Sequence, residues 1–211
     1  MSEVSAQRRD VLAGAALFAL VVGVPLATVR LTELAAEDRP SERQRQMIAA
    51  AAQHVIPRTD TPGAGEVGVG DFIVLALAHG LNGTREPAAG GIVTSGGSQV
   101  LRRDGTLRYL AWLEAVLDRR ANGDWLSKSP ARRAEILAAL DAEAFPQGPP
   151  PPVPSPWVAL KGLILTGYYT SETGGATELR YELVPGRFDP DLPLAPGDRA
   201  WSSDWTAVEF G

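Results

Sequence analysis

From Ser41 to Val55 the apolar positions Met47, Ile48, Ala51 and Val55 recur at helical spacing, and Pro57 ends the run because its ring cannot continue a helix. After a Thr59-Asp60-Thr61-Pro62-Gly63 loop, Asp71 is placed to cap a short helix from Phe72 to Leu81. That segment is apolar on every side, which predicts a buried core helix. Residues Asn82 to Asp104 show no period and contain Gly90-Gly91 and Gly96-Gly97, the pattern of an exposed loop. Tyr109, Trp112, Leu113, Val116 and Leu117 then form the clearest amphipathic stripe of the chain, closed by Asn122-Gly123. Ser129-Pro130 supplies a cap and a first-turn proline for a further helix bearing Ile136, Leu137, Leu140 and Ala144.

Between Pro146 and Pro156, seven of eleven residues are proline, so the backbone lacks donors and is expected to form a stiff, extended strap. Ser155-Pro156 repeats the cap-and-proline start for a helix from Trp157 to Leu165 whose only charge is Lys161. Such a segment must be buried, in this domain or against another protein. Beyond Gly167 no period is sustained, yet Tyr168, Tyr169, Tyr181, Phe188, Trp201, Trp205 and Phe210 punctuate the tail. Disordered tails are poor in aromatics, so these rings are expected to pack, either on the chain's own helices or on a partner. The expected architecture is therefore mainly α: a small helical domain with long irregular loops and an extended C-terminal tail.

The N-terminus changes the picture. Arg8-Arg9 stands directly before an apolar run from Val11 to Val29, the layout of a twin-arginine (Tat) export signal. A run of this length also approaches what a bilayer-spanning helix needs. Ala13, Gly14, Ala15, Ala16, Gly23 and Pro25 make it only mildly hydrophobic, which favours the export address. Residues 1–36 are accordingly a Tat-type signal or membrane anchor, with Leu34-Ala35-Ala36 a fair cleavage match, and 37–211 form one helical domain. Either way the domain is delivered to the periplasm, associated with the inner membrane.

Composition narrows the chemistry. With 0 Cys there is no thiolate metal site, iron–sulfur cluster or covalent haem attachment. A net charge of -5 with scattered basic residues gives no stripe for nucleic acid. Gly63-Ala64-Gly65-Glu66-Val67-Gly68 matches a dinucleotide fingerprint in letters, but a helix and two prolines precede it where a strand is required. His54 and His79 have neither metal-ligand spacing nor a nucleophile nearby. No catalytic, cofactor-binding or metal-binding residues are assigned.

The order of several short stretches is more telling. Ile56-Pro57 with Thr59-Asp60-Thr61-Pro62-Gly63-Ala64 comes first, then Leu113 to Leu117 with Gly123-Asp124-Trp125-Leu126, then Ile136-Leu137 and Leu140-Asp141. Trp157 to Leu163 and Gly167-Tyr168-Tyr169-Thr170-Ser171-Glu172 follow, with Tyr181, Pro185-Gly186 and Phe188. In this order the chain resembles the gluconate 2-dehydrogenase subunit 3 family, the small subunits of flavin-dependent sugar and polyol dehydrogenase complexes. Two departures are Trp125, where a different aromatic is common, and a Gly-rich insertion between Leu81 and Leu107.

The resemblance implies a cofactor-free subunit bound to a large FAD-containing dehydrogenase subunit of the glucose-methanol-choline type, in some complexes with a cytochrome c subunit carrying haem c. It also implies that the Tat translocase reads Arg8 and Arg9 and exports the signal-less flavoprotein with this chain. Candidate partner-facing residues are Trp157, Tyr168, Tyr169, Ser171, Glu172, Tyr181, Pro185 and Phe188, because aromatics beside an almost uncharged helix are typical interface anchors. A stand-alone periplasmic enzyme and a transient export chaperone remain alternatives at this point.

Overall fold

A computed structural model describes residues 34–88, 100–181, 191, 193 and 195–202. Arg8, Arg9, Pro185, Phe188, Trp205, Phe210 and the paired glycines of the insertion lie outside the described residues. Five α-helices are described: α1 (Glu42–Val55), α2 (Val69–His79), α3 (Tyr109–Ala121), α4 (Pro130–Ala144) and α5 (Pro156–Tyr169). A π-helical turn, Glu172–Glu178, follows, and a short parallel pair joins β1 (Leu179–Tyr181) to β2 (Ala200–Ser202). The mainly helical expectation holds.

Local chemistry explains the boundaries. Ser41 caps α1 through a reciprocal capping box with Gln44, and Ser129 and Ser155 cap α4 and α5 ahead of prolines in the first turn. Asn122 ends α3 in the left-handed region, donating its backbone N–H to Asp118 and Arg119. The second helix begins earlier than its sequence pattern implies. Gly68, at φ 81°, is the N-cap, and Asp71 sits inside the first turn rather than at the cap. Gly80, at φ 76°, then closes α2 ahead of the expected end at Leu81. The fifth helix runs on through Tyr169, four residues beyond its expected end.

The centre of the domain is α2 packed along α5. Phe72, Ile73, Val74, Leu75, Ala76 and Leu77 are all buried, as expected for a helix without a polar face. Gly167 permits close approach: a Cβ there would lie 2.6 Å from the Phe72 ring. Met47, Ile48, Leu113, Leu117, Trp125, Leu137, Trp157, Leu160, Leu163 and Ile164 complete the main core. Val74 and Leu75 instead face a second, smaller cluster, covered by Leu34 with Ala78 and Leu110 packed against it.

The region between α2 and α3 differs from a simple exposed loop. Its stem is drawn together by backbone bridges Pro87–Thr106 and Leu101–Leu107. Val100, Thr106 and Leu107 are buried there. The proline strap has no regular hydrogen-bonded structure and connects α4 to α5 across the surface.

Candidate functional site

Two of the stretches that carry the resemblance, Thr59–Ala64 and Gly167–Glu172, meet in space. At the loop, Ala64 donates its N–H to the Ile56 carbonyl (3.0 Å), and Gly63 donates to Glu66 Oε2 (2.8 Å). Gly65 N–H is bonded to Gln53 Oε1 at 3.0 Å. The amides of this glycine loop are thus committed internally, and no strand feeds it, which disposes of the phosphate-cradle reading. Glycine is needed for fit: a Cβ on Gly65 would stand 2.6 Å from the Ala49 carbonyl oxygen.

Above the loop, Tyr168 has no exposed surface, and its hydroxyl lies 3.0 Å from the Pro62 carbonyl and 2.5 Å from Glu178 Oε1. Thr61 Oγ1 donates to the same Glu178 oxygen and sits 3.4 Å from the Tyr168 hydroxyl. One phenolic proton is therefore held between two acceptors. Burial, reinforced by the Glu178 carboxylate, pushes the Tyr168 hydroxyl above its ordinary range.

The rest of the stretch builds the exit from α5. Ser171 Oγ donates to the Tyr168 carbonyl (2.6 Å) while accepting from Gly174 N–H (3.1 Å), so one hydroxyl closes α5 and opens the π turn. Thr170 Oγ1 donates back to the Thr166 carbonyl at 2.6 Å. Gly174 lies against the end of α5 so closely that a Cβ would be 2.2 Å from the Tyr168 carbonyl oxygen.

The candidate partner-facing residues consequently divide. Trp157 is fully buried, its Nε1–H donated to Asp141 Oδ1 at 2.7 Å, and Lys161 Nζ binds the same carboxylate at 2.7 and 2.9 Å. Trp157 and Tyr168 thus belong to the chain's own core and offer no surface. Ser171 is partly buried in the helix exit, and Glu172 is exposed. Tyr181 lies in β1, opposite Ser202. Tyr169 remains: 39% exposed, it stands edge-on to the Tyr168 ring at 5.2 Å and shares its face of α5 with exposed Leu165. Sequence inspection did not separate these roles, nor did it single out Leu165 or Glu178. The i, i+4 spacing of Leu165 and Tyr169 was the available signal.

Elsewhere, hollows are lined by several polar groups that are paired with each other. One of about 320 Å³ is lined by His54, Leu137, Asp141, Trp157 and Lys161. His54 stands edge-on to Trp125, and burial together with the nearby Arg133 charge lowers its pKa below the usual imidazole value. Another, about 410 Å³, lies between α3, α4 and the strap, where Arg120 is paired with Glu143. Among the described residues no cluster of His, Cys, Asp or Glu is arranged to hold a metal, and no helix is long and apolar enough to cross a membrane.

No curated protein and no solved structure matches the chain. The family model described as gluconate 2-dehydrogenase subunit 3 matches residues 42–186, from the start of α1 past β1 and across both meeting stretches. The chain belongs to the gluconate 2-dehydrogenase subunit 3 family, whose members are small subunits of dehydrogenase complexes.

Proposed function

We propose that this chain is the non-catalytic small subunit of a membrane-associated sugar or polyol dehydrogenase, exporting, stabilising and docking a separate FAD-containing catalytic subunit. The observation that carries the reading is how the Gly167–Glu172 stretch is used. Tyr168, Thr170 and Ser171 direct their hydroxyls into the chain's own backbone or Glu178, while Leu165 and Tyr169 face outward. Polar groups consumed in construction do not make a reaction centre, whereas an outward Leu and Tyr on a rigid helix are suited to anchor a protein partner. The flavin would be held entirely by the partner. Arg8 and Arg9 supply the export address for both chains, since the Tat route carries folded cargo.

Affinity purification of the tagged chain tests this. The expected result is a stoichiometric larger subunit with bound flavin in the periplasmic membrane fraction. Replacing Arg8 and Arg9 by Lys keeps the charge but removes the planar guanidinium pair, and should leave both chains in the cytoplasm. Dehydrogenase activity in the chain purified alone, or normal periplasmic activity in the double-Lys variant, would overturn the assignment.

A further inference from the structure

Residues 34–39, ahead of α1, belong to the fold. Leu34 is 7% exposed and covers Val74 and Leu75 on the outer side of α2. Ala36–Asp38 form a single 3-10 turn, with Asp38 N–H donated to the Ala35 carbonyl at 2.9 Å. Asp38 is gripped by two arginines: Arg85 at 2.5 Å and Arg102 at 2.9 Å, the Asp38 side chain being 8% and that of Arg102 7% exposed. Both arginines are themselves fixed, Arg85 on the Ala78 carbonyl (3.2 Å) and Arg102 on the Leu107 carbonyl (2.6 Å). Arg39 Nε–H closes the segment on the Leu34 carbonyl at 2.8 Å. Arg85 and Arg102 lie near the two ends of the Gly-rich insertion between Leu81 and Leu107, so its stem forms the clasp.

Leu34-Ala35-Ala36 is also where the small-residue pattern for signal removal falls. A signal peptidase reads small side chains on an accessible, extended stretch ahead of the cut. Ala35, Ala36 and Glu37 are exposed, but the residue three before the cut is buried, the cut would fall inside the 3-10 turn, and the second residue after it is locked between two guanidinium groups. The stretch therefore cannot extend into a peptidase without releasing these contacts. A Tat substrate folds before it crosses, so the clasp is closed before the peptidase meets the chain.

We infer that the Leu34–Arg39 clasp keeps the Ala36–Glu37 bond, although it lies at the surface, from adopting the extended form that processing needs, so that the exported subunit keeps its N-terminal apolar run as a membrane anchor. The inference rests on the export role proposed above, and its test has an arm that does not. Elastase, which cuts after alanine, is applied to the purified full chain in detergent, and the new N-termini are sequenced. Cleavage after Ala35 or Ala36 should be at least about tenfold slower than in Asp38→Asn, which removes the charge while keeping the shape. Arg85→Ala, losing one of the two grips, should fall between, and circular dichroism checks that both variants keep their helices. Equal cleavage rates in wild type and Asp38→Asn overturn the clasp whatever the route of export.

The second arm measures the intact mass of the exported chain. The full-length mass in the periplasm-facing membrane fraction is expected for wild type, with a fragment beginning at Glu37 appearing in Asp38→Asn. A shortened, soluble wild-type chain overturns the retained anchor. A chain protected in the cytoplasm overturns the export reading and, with it, the anchor, while the elastase result still decides the clasp.

Discussion

The two faces of α5 are made from the same kinds of residue and have opposite fates. Inward lie Trp157, Leu160, Leu163, Ile164, Gly167 and Tyr168, all buried. Outward lie Leu165, Thr166 and Tyr169, all exposed, with Gly162 leaving open space where a side chain would stand. Tyr168 and Tyr169 are adjacent in the chain, yet one spends its hydroxyl on Pro62 and Glu178 while the other presents its ring to the surroundings. An apolar, nearly uncharged helix is thus ambiguous by composition alone: most of its apolar surface serves the fold, and Leu165 and Tyr169 stay outside it.

The inner face should fail first and hardest at Trp157. Alanine there removes a buried indole and takes one of the Asp141 carboxylate's two partners, leaving Lys161, and is expected to cost about 3–5 kcal/mol, on the order of 10 °C in Tm. Thermal denaturation followed by circular dichroism measures it.

Gly174→Ala comes next. Its Cβ would meet backbone atoms, the Tyr168 carbonyl oxygen at 2.2 Å and its carbon at 2.8 Å, which cannot swing aside as a side chain could. A loss of roughly 1–3 kcal/mol is expected, read from urea unfolding midpoints.

The smallest effects separate the two tyrosines most cleanly. Tyr168→Phe removes a donor from the Pro62 carbonyl and leaves Glu178 with Thr61 alone, and should cost about 1–2 kcal/mol. Tyr169→Ala should stay within about 0.5 kcal/mol in the isolated chain, yet reduce recovery of the dehydrogenase partner in affinity purification. Unchanged partner recovery with Tyr169→Ala would make the outer face an ordinary exposed surface.

The helix ends at Ser41, Asn122, Ser129 and Ser155 were legible because caps and prolines act within one turn of the chain. The start of α2 was misread because Asp71 is a good capping residue, whereas the backbone turn is made three residues earlier by Gly68. The π turn had no periodic signature; it depends on Ser171 and on the contact of Gly174 with α5. Burial of Trp157 and Tyr168 could not be separated from interface exposure, since core and interface select the same side chains. The Asp38 clasp joins residues 47 and 64 positions apart, a separation at which no local pattern exists.

The docking of Leu34 also sets a length. With the apolar run ending at Val29, residues 30–33 alone link a retained anchor to the folded domain, and four residues span roughly 14 Å at most. A domain of about 175 residues has a radius of gyration near 16 Å, so the leash is shorter than the body it holds. In the anchored form proposed above, such a tether would limit how far the subunit turns on the membrane and would keep the side carrying Leu34, Val74 and Leu75 next to the bilayer. A partner bound to the outer face of α5 would then be brought to a set height and orientation above the lipid, by tether geometry rather than by any contact of its own.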